Sequence, residues 1–272
     1  MLDEALETSA QLVDAAGCDG ASDPIACLRE RSPAELLEAL PPEVSVSGGA
    51  PPYQPHVDGW VLPDAPLSLI EQGAHNDVPL VVGANSEETS RDVPPSMTPA
   101  QYEATVQATF GPLADEVLAE YPVADFASAA DAFVQLTSDL KFVCTARTVA
   151  RAAAAGGSAG VFHYHFTEAF DLPALEGYGA YHGIELAYVF GYLDEMYLLA
   201  DPPADEAALR DAIQLYWGAL AAAGDPAVTS LPQWPAYDSD GDESLVLAGG
   251  DPHVEAGVRA ERCDFWEDLF PR

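Results

Sequence analysis

Positive charge is scarce in this sequence. Lys and Arg together number 10, against 45 Asp and Glu, for a formal net charge of −35 over 272 residues. Such a surface repels phosphate, which excludes nucleic acid and anionic membranes as partners. The acidic residues are spread along the chain rather than gathered in one tail, so they read as a solvated surface suited to a salty or extracellular setting. Long apolar runs are missing too. None approaches the roughly 20 residues that a bilayer-spanning helix needs. The N-terminal Met1-Leu2-Asp3-Glu4-Ala5-Leu6-Glu7 has neither a positive segment nor an apolar stretch after it, so no signal peptide is visible there. Internal repeats and linker-like stretches are also absent. With 49% apolar residues, the chain is long enough to bury a substantial core, and one large domain or part of one is expected.

What is present alternates between two periodicities. Residues 4–16 carry apolar positions near the 3.6-residue period of a helix. Ser32-Pro33-Ala34-Glu35 places a capping serine before a proline and an acid, which predicts a helix over 33–40, stopped by Pro41-Pro42. Residues 56–63 are turn-bounded and β-prone. Val78-Pro79-Leu80-Val81-Val82-Gly83 is a short continuous apolar run of the kind found in a parallel strand covered on both faces. Helices are expected at 99–109, 113–121 and 125–154, a strand at 161–166, a helix at 206–223 ended by Gly224-Asp225-Pro226, a strand at 244–247 and a short helix at 262–269. Strands alternating with helices point to the α/β class. In open α/β sheets ligands gather beyond the carboxyl ends of the strands, which directs attention to the loop at 84–89.

Two residues there and downstream fit acyl-transfer chemistry. That chemistry needs a nucleophile, a histidine to take its proton, and a carboxylate to fix the histidine tautomer. In α/β-hydrolases the chain order is serine, then acid, then histidine. Glu88 follows a predicted buried strand and His182 lies in a glycine-flanked loop far downstream, so acid precedes histidine. No convincing serine precedes both. Gly156-Gly157-Ser158-Ala159-Gly160 has the spelling of a nucleophile elbow, but an elbow needs a strand entering and a helix leaving. Here a long helix precedes and a strand follows, and Ser158 comes after Glu88, so it reads as a helix-terminating loop. His163 and His165 alternate on one predicted strand face without an evident third ligand, and a half-exposed face explains them. Asp238-Ser239-Asp240-Gly241-Asp242-Glu243 lacks the glycine and glutamate of a calcium loop at the sixth and twelfth places, where Glu243 and Gly249 stand, and reads as an acidic turn. No metal site and no cofactor are expected.

The motifs themselves carry a resemblance. Val57-Asp58-Gly59, then Val78-Pro79-Leu80-Val81-Val82-Gly83-Ala84-Asn85-Ser86-Glu87-Glu88, then His182-Gly183-Ile184-Glu185-Leu186 through Val189-Phe190-Gly191 together resemble the type B carboxylesterase and cholinesterase family over nearly the whole chain. The resemblance implies that Glu88 is the triad acid, with Glu87 in the acidic place before it, that His182 is the triad histidine, and that Glu185 is a supporting carboxylate. Thr89 stands where the family usually has glycine. Four cysteines alone allow three pairings. The resemblance implies Cys18 with Cys27, before Leu28-Arg29, and Cys144 with Cys263, before Asp264-Phe265-Trp266. Two bridges imply an oxidising compartment, hence a secreted or periplasmic protein.

The family's oxyanion glycines and nucleophile elbow precede the region these motifs cover. Residues 1–272 are therefore expected to form the C-terminal portion of an α/β-hydrolase fold, a partial and mostly parallel sheet with flanking helices. A small ester would be the substrate of the complete form and the N-terminal half a partner. The chain alone should hydrolyse esters poorly or not at all, and its uncovered sheet edge should make it marginally stable. The alternatives are a non-catalytic adhesion relative or a truncated gene product.

Overall fold

The computed structural model describes residues 2–41, 53–157, 159–198 and 201–271. The chain divides into two compact units, residues 1–68 and 69–272.

In the first unit, local hydrogen bonds decide what forms. Helix α1 runs over Leu2–Ala15, α2 over Pro24–Arg29 and α3 over Pro33–Ala39. Asp23 caps α2 by accepting from the Ala26 amide at 3.0 Å. Ser32 and Glu35 form the reciprocal capping box that their spacing predicts, with the Ser32 amide donating to Glu35 Oε2 at 2.8 Å and the Glu35 amide to Ser32 Oγ at 3.3 Å. Cys18 and Cys27 are bridged, closing a loop of sequence separation 9 with the Cα atoms 5.7 Å apart. The β-prone stretch at 56–63 is not a strand. Asp58 Oδ1 accepts from the amides of Trp60, Val61 and Leu62 at 2.9, 2.9 and 3.0 Å, so the donors that a neighbouring strand would require are used up locally in a turn. Helix α4 (Pro66–Glu71) follows in the chain.

The second unit holds the sheet. Its elements are β1 (Leu80–Asn85), α5 (Pro99–Phe110), α6 (Ala114–Glu120), α7 (Ala129–Ser138), α8 (Cys144–Ala155), β2 (Val161–Phe166), α9 (Leu186–Val189), α10 (Leu193–Met196), α11 (Ala204–Ala223), β3 (Glu243–Leu247), β4 (His253–Ala256) and α12 (Ala260–Leu269). Strand order is β1-β2-β3-β4. The first three strands are parallel, with Leu80 opposite Val161 and Asn85 opposite Phe166, and β4 is antiparallel to β3. This mostly parallel four-stranded sheet with flanking helices is the α/β arrangement that the motifs imply.

Side-chain alternation along β2 sorts the two faces. Phe162 and Phe166 enter a core with Tyr188, Ile213, Tyr216 and Trp234, supplied by α9, α11 and the segment before β3. Val161, on the opposite face, packs with Ala150 and Ala153 of α8 and with Tyr237. The small alanines let α8 lie close on the strands. His163 and His165 share that covered face and are almost fully buried, which corrects the expectation of a half-exposed one.

The helix expected over 125–154 is broken twice. Residues 126–128 are not helical, and Ser128 caps α7 through the Asp131 amide at 3.1 Å. At Asp139–Val143 the helical turn widens into a π turn. There Asp139 is fully buried, receiving Tyr121 Oη at 3.1 Å and Gln135 Nε2 at 2.8 Å, with Arg262 Nη1 at 3.6 Å. The second bridge, Cys144–Cys263, has a Cα separation of 5.0 Å and joins the start of α8 to α12. Among the described residues no helix is long and apolar enough to cross a membrane.

Candidate active site

The carboxyl end of β1 carries the acid loop. Ser86 continues the pairing with β2 by donating its amide to Phe166 O at 2.9 Å, after which the chain turns away. The turn buries Glu88. Its Oε1 accepts from the Asn85 amide at 2.8 Å and its Oε2 faces His182 Nδ1 at 2.6 Å. The main chains meet as well, with the His182 amide donating to Glu88 O at 3.2 Å. Gly183, at φ 83°, allows the left-handed turn after the histidine.

Glu87 and Glu88 separate cleanly. Glu87 Oε2 accepts from the Ala180 amide at 2.9 Å and from Ser86 Oγ at 2.5 Å, which ties it to the chain before the histidine rather than to the ring. Glu185 does not hydrogen-bond the ring either. Its Oε2 takes the Asn85 side-chain amide at 2.5 Å. Thr89, in the place where glycine is usual, is buried against α7, with Oγ1 2.6 Å from Thr137 Oγ1 and 3.2 Å from Val134 O. Its hydroxyl makes the substitution compatible with a packed loop.

The electrostatics follow from burial. Removal from water pushes the Glu88 carboxyl above the usual carboxylate range, the Asn85 amide and His182 pull it back, and nearby Glu185 adds to the rise. With Nδ1 donating to a carboxylate, the neutral imidazole carries its proton on Nδ1 and offers a lone pair at Nε2. The His182 side chain is 71% exposed while that of Glu88 is 6% exposed. Among the described residues Glu88 is the ring's one hydrogen-bond partner, and Phe142 lies against it with ring centroids 5.3 Å apart. A hydroxyl brought to Nε2 could be deprotonated there, and the resulting imidazolium would be held by Glu88.

Ser158 lies outside the described residues. The elements around it are α8, which ends at Ala155, and β2, which begins at Val161, so a helix enters and a strand leaves. A hollow of about 300 Å³ lined by Glu87, Ser90, Val134 and Tyr178 does not include His182 or Glu88, nor does a larger one of about 730 Å³ lined by Glu71, Arg151, Ser239 and Glu267. His163 Nδ1 lies 2.7 Å from Ser244 Oγ, and its ring packs on Tyr237. Among the described residues no three His, Cys, Asp or Glu side chains are placed to hold a metal ion.

Sequence reasoning passed over Asn85 and Phe142. Asn85 sits inside the quoted motif, where only the two glutamates drew attention. Phe142 lies within the π turn, which the alanine-rich pattern conceals.

The model of the carboxylesterase family matches residues 1–266. Among characterised proteins, the chain is 27% identical over 295 residues to liver carboxylesterase of Sus scrofa, covering 96% of this chain and 50% of that protein. It is 28% identical over 272 residues to pyrethroid hydrolase Ces2e of Rattus norvegicus, covering 91% and 45%. It is 25% identical over 244 residues to an acetylcholinesterase of Leptinotarsa decemlineata, covering 81% and 38%. The chain thus spans half or less of the length of these relatives.

Proposed function

This chain belongs to the carboxylesterase family, and on that premise we propose that it carries the general base and the orienting carboxylate of a serine ester hydrolase, with the nucleophile supplied by a segment other than these 272 residues. The observation that carries the reading is the His182–Glu88 contact at 2.6 Å, with the far edge of the imidazole exposed. In the assembled site a serine hydroxyl attacks the ester carbonyl as His182 Nε2 takes its proton. Glu88 stabilises the imidazolium without itself becoming protonated, and the proton passes to the leaving alcohol. Water then cleaves the acyl-enzyme by the same route. Glu185 supports the histidine loop from beside Asn85. No cofactor takes part.

Residues 1–272 are, in this reading, the C-terminal part of a carboxylesterase domain. The outer edge of β1 receives the rest of the sheet, and a small carboxylic ester is the substrate of the whole. Two disulfides support an oxidising compartment, secreted or periplasmic, for the protein. The test is hydrolysis of p-nitrophenyl acetate by this chain alone and by a longer open reading frame containing it. The longer product should be active and lose activity with His182→Gln, while the 272-residue chain shows little turnover. Turnover by the short chain that disappears with Ser158→Ala would overturn the assignment.

A further inference from the structure

Asn85, the last residue of β1, is 1% exposed and touches the proposed acid and the loop that carries the proposed base. Its main-chain amide donates to Glu88 Oε1 at 2.8 Å. Its side-chain Nδ2 donates to Glu185 Oε2 at 2.5 Å and to Tyr181 O, the carbonyl just before His182, at 3.0 Å. One neutral residue therefore donates to two carboxylates beside a single imidazole and grips the histidine loop on either side of that ring. The amide orientation is not free. Both atoms facing Nδ2 are acceptors only, so a flipped amide would set oxygen against oxygen. In the orientation that remains, Asn85 Oδ1 is buried without a hydrogen-bond partner among the described residues. Its desolvation opposes folding and must be offset by what Nδ2 does.

The geometry points to Asn85 as a positioning residue for the ester hydrolysis proposed above, on which this inference rests. Asn85 sets the separation of the acid loop from the histidine loop. It also occupies Glu185, so that Glu88 alone fixes the His182 tautomer. Leucine or alanine at this position would release both loops. Aspartate, nearly identical in shape, would place a third carboxylate against two acceptors and remove the donor that joins them.

The test reads the histidine itself and needs no turnover. In chain labelled with ¹⁵N in its imidazole rings, and assigned with His182→Gln, His182 should be in the Nδ1–H tautomer with a slowly exchanging, strongly downfield Nδ1 proton. Asn85→Ala and Asn85→Asp should each lose that proton signal and show mixed tautomers. Ser90→Ala removes a different bond between the same two chain segments, Ser90 Oγ to Tyr178 O at 2.6 Å, and should leave the signal intact. Retention of the signal in both Asn85 variants overturns the clamp while leaving the proposed function standing. Its equal loss in Ser90→Ala also overturns the clamp, because loop packing in general would then be responsible. Absence of the Nδ1–H tautomer in the unsubstituted chain defeats the functional reading itself, and the clamp with it. A measurement free of variants is exchange of the Asn85 side-chain amide protons, which should be slow; fast exchange there overturns the clamp even if the variants fail to fold. In an active longer product, Asn85→Asp should lower kcat by about 10²-fold and leave KM within about twofold, as misplacement of a catalytic group does.

Discussion

Acid should destabilise this chain through two histidines that take no part in the proposed chemistry. His163 and His165 are 3% and 4% exposed under α8, and burial lowers their pKa values from 6.5 to about 4 and about 3. Asp242 favours charging of His163 and Arg147 opposes it, while Arg259 and then His163 oppose charging of His165. The sign follows from linkage. Between the folded and unfolded values the unfolded chain binds more protons, so stability rises with pH. The contribution is complete above about 6.5 and is lost as the pH falls toward 4 and then 3. At about 1.36 kcal/mol per unit, the full loss is about 3 kcal/mol for His163 and about 5 kcal/mol for His165. While both titrate in the unfolded chain alone, the slope approaches about 2.7 kcal/mol per pH unit. Acids with raised values, the buried Glu88 and Asp139 and the half-buried Glu168, work in the opposite direction over part of this range. The assay is urea unfolding followed by tryptophan fluorescence, since buried Trp234 donates Nε1 to the main-chain oxygen of His163 at 2.9 Å. It should run from pH 7 to 4.5 in 1 M salt, where surface charges are screened within about 3 Å. Stability should fall steeply below pH 6.5, and His163→Asn with His165→Asn should flatten the curve. A flat profile in the unsubstituted chain, or an unchanged slope in the variant, would refute the reasoning.

Three further outcomes are expected. In an active longer product, Glu88→Gln should reduce kcat by about 10³–10⁴-fold, because an amide favours the wrong tautomer, whereas Glu87→Gln should cost less than about tenfold; equal losses would show that the two acids share the role. Arg147 is buried, with two bonds from Nε and Nη2 to Asp242 Oδ2 at 2.9 and 2.7 Å and one from Nη1 to Asp264 at 2.7 Å. Arg147→Ala should therefore destabilise by about 3–5 kcal/mol in urea unfolding, and Arg147→Lys should recover little of that because an ammonium cannot reproduce the fork. With a net charge of −35, raising sodium chloride from 0.05 to 1 M should raise the melting temperature, and a fall on adding salt would show that self-repulsion does not limit stability.

The parts of the fold readable from sequence were those whose physics is local or repetitive. Strand β1 announced itself as a continuous apolar run, β2 by alternation, and α3 by a capping box whose two hydrogen bonds both form. Strand β4 gave no such signal, since all four of its residues are exposed and the strand exists through pairing with β3 alone. Residues 56–63 had strand propensity, but one carboxylate, Asp58, captured the amides first. The π turn at Asp139 depends on Tyr121 and Arg262, partners remote in sequence, so no pattern within the helix could disclose it. At the site, motif order singled out Glu88 and His182, and the fold brings them into contact. The choice of Glu88 over Glu87 rests on which carboxylate the turn directs inward. The role of Asn85 became visible only when Tyr181 and Glu185, about a hundred residues away in the chain, were seen beside it.

The central claim is that base and orienting acid reside in these residues and the attacking hydroxyl does not. A fluorophosphonate that labels activated serines tests it most directly, with mass spectrometry to locate the adduct. No stoichiometric adduct should form on the 272-residue chain, and a longer active product should carry an adduct on a serine outside it that requires His182. A stoichiometric adduct on a serine of this chain, abolished by His182→Gln, would contradict the claim.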